Sequence, residues 1–274
     1  MSSTPPVVLS IAASDPTGGA GMQADSLTIA SLGCHPACVV TALTAQDTRG
    51  VEAVLPIAPE WVERQARVLL ADLPLAACKL GVLGSAANAR AIASVLSERS
   101  PAASLPMVLD PVLASGRGDT LADAETVRAL RESLLPLTTV LTPNSVEARR
   151  LVGAAPDASL EQCARQLIDA GCKYVLVTGT HEATPQVINA LYGTRGLIRE
   201  DRWQRLPGSY HGSGCTLASA LAAFIARGRD PVEAARKAQD YTWHALAAGF
   251  RPGKGQLLPQ RFHDEAARSL RDHA

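Results

Sequence analysis

The chain has 274 residues, 47% hydrophobic and only 4% aromatic, and its 26 basic residues balance 26 acidic ones for a net charge of +0. A chain of this kind can bury one large core, and its scattered basic residues recruit neither nucleic acid nor an anionic membrane. The opening Met1–Pro6 lacks the basic flank and apolar run of a signal peptide, and no apolar stretch is long enough to span a bilayer. Six dispersed cysteines without a CxxC pair argue against both a disulfide framework and a zinc site. The expectation is a cytoplasmic enzyme of one domain, residues 1–274, with residues 1–6 as a flexible tail.

In chain order, Val7–Ala13 is a continuous apolar run of strand length. The same texture recurs at Cys38–Ala45, Cys78–Leu83, Met107–Val112, Thr139–Leu141 and Tyr174–Val177. Helix-period segments lie between most of them, over Ala24–Leu32, Glu60–Ala71, Ala87–Glu98, Ala122–Leu134 and Leu160–Ala170. This alternation predicts an α/β fold, a doubly wound, mostly parallel sheet with helices on both faces and ligands at the carboxyl ends of the strands. Gln186–Tyr192 and Leu197–Leu206 read as a late antiparallel pair. An Ala/Leu-rich helix from Cys215 follows, then helices over Pro231–Ala248 and Gln260–Arg271.

The loops between these elements carry the chemistry. The first strand empties into Ser14–Asp25, where Gly18, Gly19 and Gly21 let backbone approach a ligand closely; Asp25 lies about one turn into the next helix. The stretch is neither GxGxxG nor GxxxxGK[ST], and it also reads as a tight strand–helix turn. Asp110, Asn144 and Glu147 stand at or just beyond strand ends, and Asn plus carboxylates with water is a set that Mg²⁺ prefers. Each has a plainer reading: Asp110 before Pro111 ends a strand, and Asn144 with Glu147 makes a capping box. In Leu206–Arg227 a glycine loop runs into a helix, so the free N–H groups of Ser213, Gly214, Cys215 and Thr216 offer an anion site. Cys215 stands where a thiol pKa falls, unless it is a buried, inert cysteine; His211 can simply cap the loop. Several strand ends converging on an anion-binding helix start point to a phosphate-handling site.

Together the motifs resemble the hydroxymethylpyrimidine/phosphomethylpyrimidine kinases of thiamine biosynthesis, members of the ribokinase-like superfamily. The resemblance rests on Ser14–Asp25, Val40–Thr48, Lys79-Leu80-Gly81, Asp110-Pro111-Val112, Thr142–Glu147 and His211–Thr216, in the family's order across nearly the whole chain. It implies two ATP-dependent phosphorylations, of the pyrimidine alcohol and then of its monophosphate, and a homodimer. On matching positions, Asp25 and Gln46 hold the aminopyrimidine beside Gly18 and Gly19, Cys215 is the base, and the amides of Gly212, Ser213, Gly214 and Cys215 form the anion hole. Asn144 and Glu147 order Mg²⁺ and the ATP phosphates, with Asp110 in support. Four departures stand out: Thr178 where Lys is usual, Gly116 and Arg117 where Lys or Thr and Ser are frequent, Val82 for Met, and Asp47 for Asn. Arg117 is expected to supply the charge missing at Thr178. Rival readings are a pyridoxal kinase of the same superfamily, a thiol hydrolase pairing Cys215 with His211, and a binding protein without catalysis.

Overall fold

The apolar runs become strands because each serves two cores. The computed structural model describes residues 4–98, 105–114, 118 and 121–263. The chain runs β1 (Val7–Ala12), α1 (Gly21–Ser31), β2 (His35–Val40), β3 (Ala42–Asp47), β4 (Gly50–Pro56), α2 (Pro59–Asp72), β5 (Leu75–Leu80), α3 (Ala86–Ser97) and β6 (Met107–Leu109). It continues through α4 (Ala124–Ala129), β7 (Val140–Leu141), α5 (Ser145–Val152), α6 (Leu160–Asp169), β8 (Tyr174–Val177), β9 (Gln186–Gly193), β10 (Gly196–Gln204), α7 (Ser213–Ala226) and α8 (Pro231–Ala247). With a side-chain period of two, Leu9, Leu80 and Leu109 go to one core, with Val62, Ile92, Leu151 and Leu167 of the helices from α2 to α6. Val8, Val108 and Leu176 go to the other, with Ile29, Leu221 and Ala238 of α1, α7 and α8.

The main sheet has the order β10-β9-β8-β7-β6-β5-β1-β2, parallel from β2 to β8, with β9 and β10 antiparallel. This is the doubly wound architecture read from the alternation, including its late antiparallel pair. From β1 the chain steps to β2 on one side and later to β5 on the other, so a crevice opens at the carboxyl ends where the direction reverses.

Three expectations are corrected. The run Cys38–Ala45 is two strands, not one. Thr41 ends the β1 ladder by donating its N–H to the Ala12 carbonyl, and its hydroxyl donates to Val82 at 2.6 Å. The chain then leaves the main sheet, and β3 pairs antiparallel with β4, which sequence patterning missed, as a separate hairpin flap. The helix expected over Ala122–Leu134 starts at Ala124, capped by Asp123, and widens into a π turn over Leu130–Leu134. In the expected tail, the Pro6 carbonyl accepts the His35 N–H at 2.9 Å, while residues 1–3 lie outside the described residues. The helix over Gln260–Arg271 likewise falls largely outside them.

Candidate active site

A cleft of about 510 Å³ opens over the carboxyl ends of the parallel strands. Ser14 after β1, Val82 after β5, Asp110 after β6, Asn144 after β7 and Thr178 after β8 line it; Gln46 reaches it from the flap, and Gly212–Cys215 from the start of α7. The sequence therefore brings together at one edge Gln46, Val82, Asp110, Asn144, Glu147, Thr178, Gly212, Ser213, Gly214 and Cys215.

The α7 start is built by close backbone approach. Gly212 is the N-cap residue at φ +81, and a Cβ there would lie 1.8 Å from the Gly19 carbonyl oxygen, so only glycine fits. The first-turn amides of Ser213, Gly214 and Cys215 have no intrahelical acceptor, and their residues line the cleft at the positive end of the helix dipole. Asp110 hangs over this turn, 3.7 Å from where a Gly214 Cβ would stand. Its Oδ2 is buried without a hydrogen-bond partner among the described residues.

Cys215 corrects the expectation of a lowered thiol pKa. Burial pushes the thiol up to about 12; Asp110 and Asp25 add to the rise, while Lys79 and the Gly21 N–H oppose it. Desolvation and two carboxylates outweigh the helix start. His211 is turned away from a thiol partnership: its Nε2 meets Asp15 Oδ2 at 2.8 Å. Burial raises the Asp15 pKa, yet the bonds from His211 and Thr17 prevail and hold it below the usual carboxylate range. The Cys–His dyad needed by a hydrolase is absent from this geometry.

Asp25 and the two glycines do not line the cleft. Asp25 is fully buried, its Oδ1 accepting from Lys79 Nζ at 2.8 Å and Ser219 Oγ at 2.7 Å, and its Oδ2 from Lys79 at 2.9 Å and Ser10 at 2.7 Å. No acceptor capacity faces a ligand, so Asp25 supports the floor from below. The Gly18 and Gly19 carbonyls are held by Arg261 at 3.2 and 2.6 Å, and a Gly19 Cβ would strike the His211 ring. Gly19 packs against Gly212 and His211, and the two glycines brace the loop that opens α7.

Asn144 and Glu147 make a complete capping box for α5, each side chain accepting the other's N–H at 2.9 Å, and still line the cleft. Burial pushes the Glu147 carboxyl up to about 8, with Asp110 adding to the rise. Asp110 is pushed up to about 6 by burial, with Asp25 adding and Lys79 opposing. Both cleft carboxyls thus have pKa values above the usual carboxylate range, Glu147 through burial and the Asp110 charge, Asp110 through burial and the Asp25 charge. Thr178 bonds by backbone to Pro143 and Ser145 and exposes its side chain to the cleft. Gly116 and Arg117 lie outside the described residues.

Sequence reading missed three supporting residues. Lys79 carried a signal, a charge inside a strand that is otherwise small or apolar; it is fully buried and raised above the usual lysine value by Asp25, against burial that lowers it. Asp15 and Arg261 carried little, because their partners are 196 and more than 40 residues away.

A doubly wound sheet whose glycine-capped helix start shares a cleft with carboxyls at the strand ends is the arrangement of a small-molecule kinase of the ribokinase-like fold. The pyridoxal kinase of Bacillus subtilis, solved as an ADP complex, superposes with a TM-score of 0.86 at 26% identity, covering 96% of this chain and 100% of that one. The phosphomethylpyrimidine kinase profile matches residues 15–260, and the chain belongs to that family. It is 38% identical over 258 residues to the hydroxymethylpyrimidine/phosphomethylpyrimidine kinase of Streptomyces coelicolor, covering 92% of this chain and 93% of the relative. It is 37% identical over 267 residues to the thiamine biosynthesis bifunctional protein ThiED of Geobacter sulfurreducens, covering 97% of this chain and 54% of that one.

Proposed function

We propose that the chain, acting as one kinase domain, transfers the γ-phosphoryl group of ATP to 4-amino-5-hydroxymethyl-2-methylpyrimidine and then to its monophosphate, for thiamine biosynthesis. The observation that carries the site assignment is the α7 start, whose first-turn residues line one cleft with Asp110 and Glu147. Phosphoryl transfer asks for positioning and charge neutralisation more than covalent chemistry, and this edge supplies both.

Gln46 reads the aminopyrimidine, since one amide both accepts from the exocyclic amine and donates to a ring nitrogen. Val82 packs beside it. The amides of Gly212–Cys215 hold the transferred group. Asn144 and Glu147, with Asp110, would hold Mg²⁺ partly through water, and the partnerless Asp110 Oδ2 and the raised carboxyl pKa values fit a cation there. Among the described residues no three His, Cys, Asp or Glu side chains converge, so the remaining ligands would be phosphate oxygens and water. Bound Mg²⁺ supplies neutralisation of the phosphate charge. Cys215 faces the substrate hydroxyl and shifts toward the thiolate when Asp110 is neutralised, because the Asp110 charge is among the groups holding its thiol up. Arg117 supplies the charge that Thr178 lacks.

The chain further reads as a cytoplasmic homodimer. No helix of the described residues is long and apolar enough to cross a membrane, and the six cysteines are all free. Exposed Leu43, Leu55, Trp61 and Val68 offer an apolar face on the flap and α2. Pyridoxal is the second substrate reading, favoured by Val82 in the cleft wall and by the likeness to pyridoxal kinase.

ATP consumption with Mg²⁺, offered each pyrimidine or pyridoxal, tests the proposal beside Cys215→Ala. Turnover of both pyrimidines, reduced about 10²–10⁴-fold in the variant, is expected. Turnover of pyridoxal alone moves the substrate to the second reading, and an undiminished variant removes Cys215 from the chemistry.

A further inference from the structure

Arg261 is buried, at 4% exposure, and among the described residues its fork hydrogen-bonds to neutral acceptors. Nε donates to Thr216 Oγ1 at 3.2 Å, Nη1 to the Gly18 carbonyl at 3.2 Å and Nη2 to the Gly19 carbonyl at 2.6 Å. Among the described residues no carboxylate pairs with this guanidinium; burying it so is costly, and burial lowers its pKa against the pull of Cys215, Tyr241, Asp25 and Asp15. The structure keeps it where two glycine turns meet. Thr216 sits in the first turn of α7, and its hydroxyl donates to the Gly212 carbonyl at 2.8 Å. The Gly19 carbonyl, which Arg261 grips most closely, is the same atom that Gly212 can approach only for want of a Cβ.

The far side of Arg261 is anchored too. Its backbone carbonyl accepts the Tyr241 hydroxyl at 2.7 Å, and that hydroxyl also meets Ser31 Oγ at 2.6 Å, tying the residue to α8 and α1. One planar fork therefore sets the spacing between the Gly18–Gly19 turn and the start of α7. Anion-hole donors act only when aimed within a few tenths of an ångström of the developing charge, so this spacing governs the reaction step. We infer that Arg261 is a positioning residue for phosphoryl transfer, acting through Gly18, Gly19 and Thr216 on the direction of the Gly212–Cys215 amides. The inference rests on the reading of those amides as the anion hole.

Arg261→Ala and Arg261→Lys, each checked by thermal melting, give the test, with Gly212→Ala alongside. In Arg261→Ala, kcat falls about a hundredfold while KM for ATP and for the pyrimidine each stay within about threefold, and millimolar guanidinium restores part of kcat. A loss of melting temperature with wild-type kcat, or a kcat loss that guanidinium leaves untouched, overturns the inference. Lysine cannot span three acceptors, so if the alanine variant fails to fold, Arg261→Lys carries the decision: lowered kcat at unchanged KM supports the role, and wild-type kcat ends it. Full activity in Gly212→Ala sinks the anion-hole reading itself. An inactive Gly212→Ala beside active Arg261 variants sinks only the role of Arg261.

Discussion

At single residues the cleft is governed by desolvation. Glu147 and Asp110 retain protons to higher pH than ordinary carboxyls because burial strips their water, with the Asp110 charge adding to the rise at Glu147 and the Asp25 charge at Asp110, giving pKa values of about 8 and about 6. For a carboxyl whose folded pKa lies above its unfolded value, the folded state favours the proton, so stability falls as pH rises between the two values. With Mg²⁺ held at these carboxyls as proposed, the same protons compete with it. The Mg²⁺ concentration giving half-maximal activity is expected to fall as pH rises from about 6 to about 8, the span of the two folded pKa values. Glu147→Gln should flatten most of that dependence, and a slope equal to that of the parent protein would remove Glu147 from cation binding. Asp15 behaves oppositely. Its depressed pKa contributes stability that is present above the unfolded carboxylate value and lost as pH falls through the folded one.

Among the elements, the flap is the one whose position is set from a distance. Asp47 forms its turn, Oδ1 accepting the N–H groups of Arg49 at 2.7 Å and Gly50 at 3.2 Å. Asparagine does the same through its side-chain oxygen, which is why the Asp47 departure leaves the hairpin intact. The tip then docks on the Gly253-Lys254-Gly255 loop: Gly255 N–H donates to Thr48 Oγ1 at 2.9 Å, and Gln256 N–H to the Thr48 carbonyl at 2.8 Å. This loop borders the flap tip, and a Cβ on Gly255 would lie 1.8 Å from the Thr48 carbonyl oxygen. Gly255→Val should lift the hairpin and withdraw Gln46 from the cleft. The expected result is a rise of about tenfold in KM for the pyrimidine, the scale of one or two lost hydrogen bonds, with KM for ATP little changed. Equal rises for both substrates would argue against the flap as a carrier of pyrimidine recognition.

Across the molecule, the buried Lys79–Asp25 pair joins β5 to α1 beneath the cleft, with Ser10 of β1 and Ser219 of α7 completing it. Four elements are thus held in register under the site by one buried polar knot, and breaking such a pair leaves an uncompensated charge. The outer face bears on assembly. Leu43 and Leu55 are register partners on the flap, exposed by 48% and 63%, and Trp61 on α2 is exposed by 56%. If this face closes a homodimer, Leu55→Glu should shift the sedimentation of the purified protein from dimer to monomer. A parent protein that sediments as a monomer would withdraw the assembly.

The sequence by itself determined the doubly wound sheet, because strands buried on both faces must be continuously apolar and their helices must repeat at 3.6 residues. It also marked most of the cleft, since glycines, Asp110, Asn144 and Cys215 follow the strands or open the helices that present them. Tertiary structure alone decided the rest. Nothing local separates Ala42–Asp47 from β2; the break depends on Thr41 finding acceptors on β1 and beyond β5. Asp25 looks like a ligand residue until Lys79, 54 residues away, claims it. The thiol of Cys215 rises rather than falls because burial and carboxylates from other elements outweigh the helix that carries it. Local composition chooses an element and its cap, but burial, charge balance and the distance between two glycine turns are sums over partners far apart in the chain.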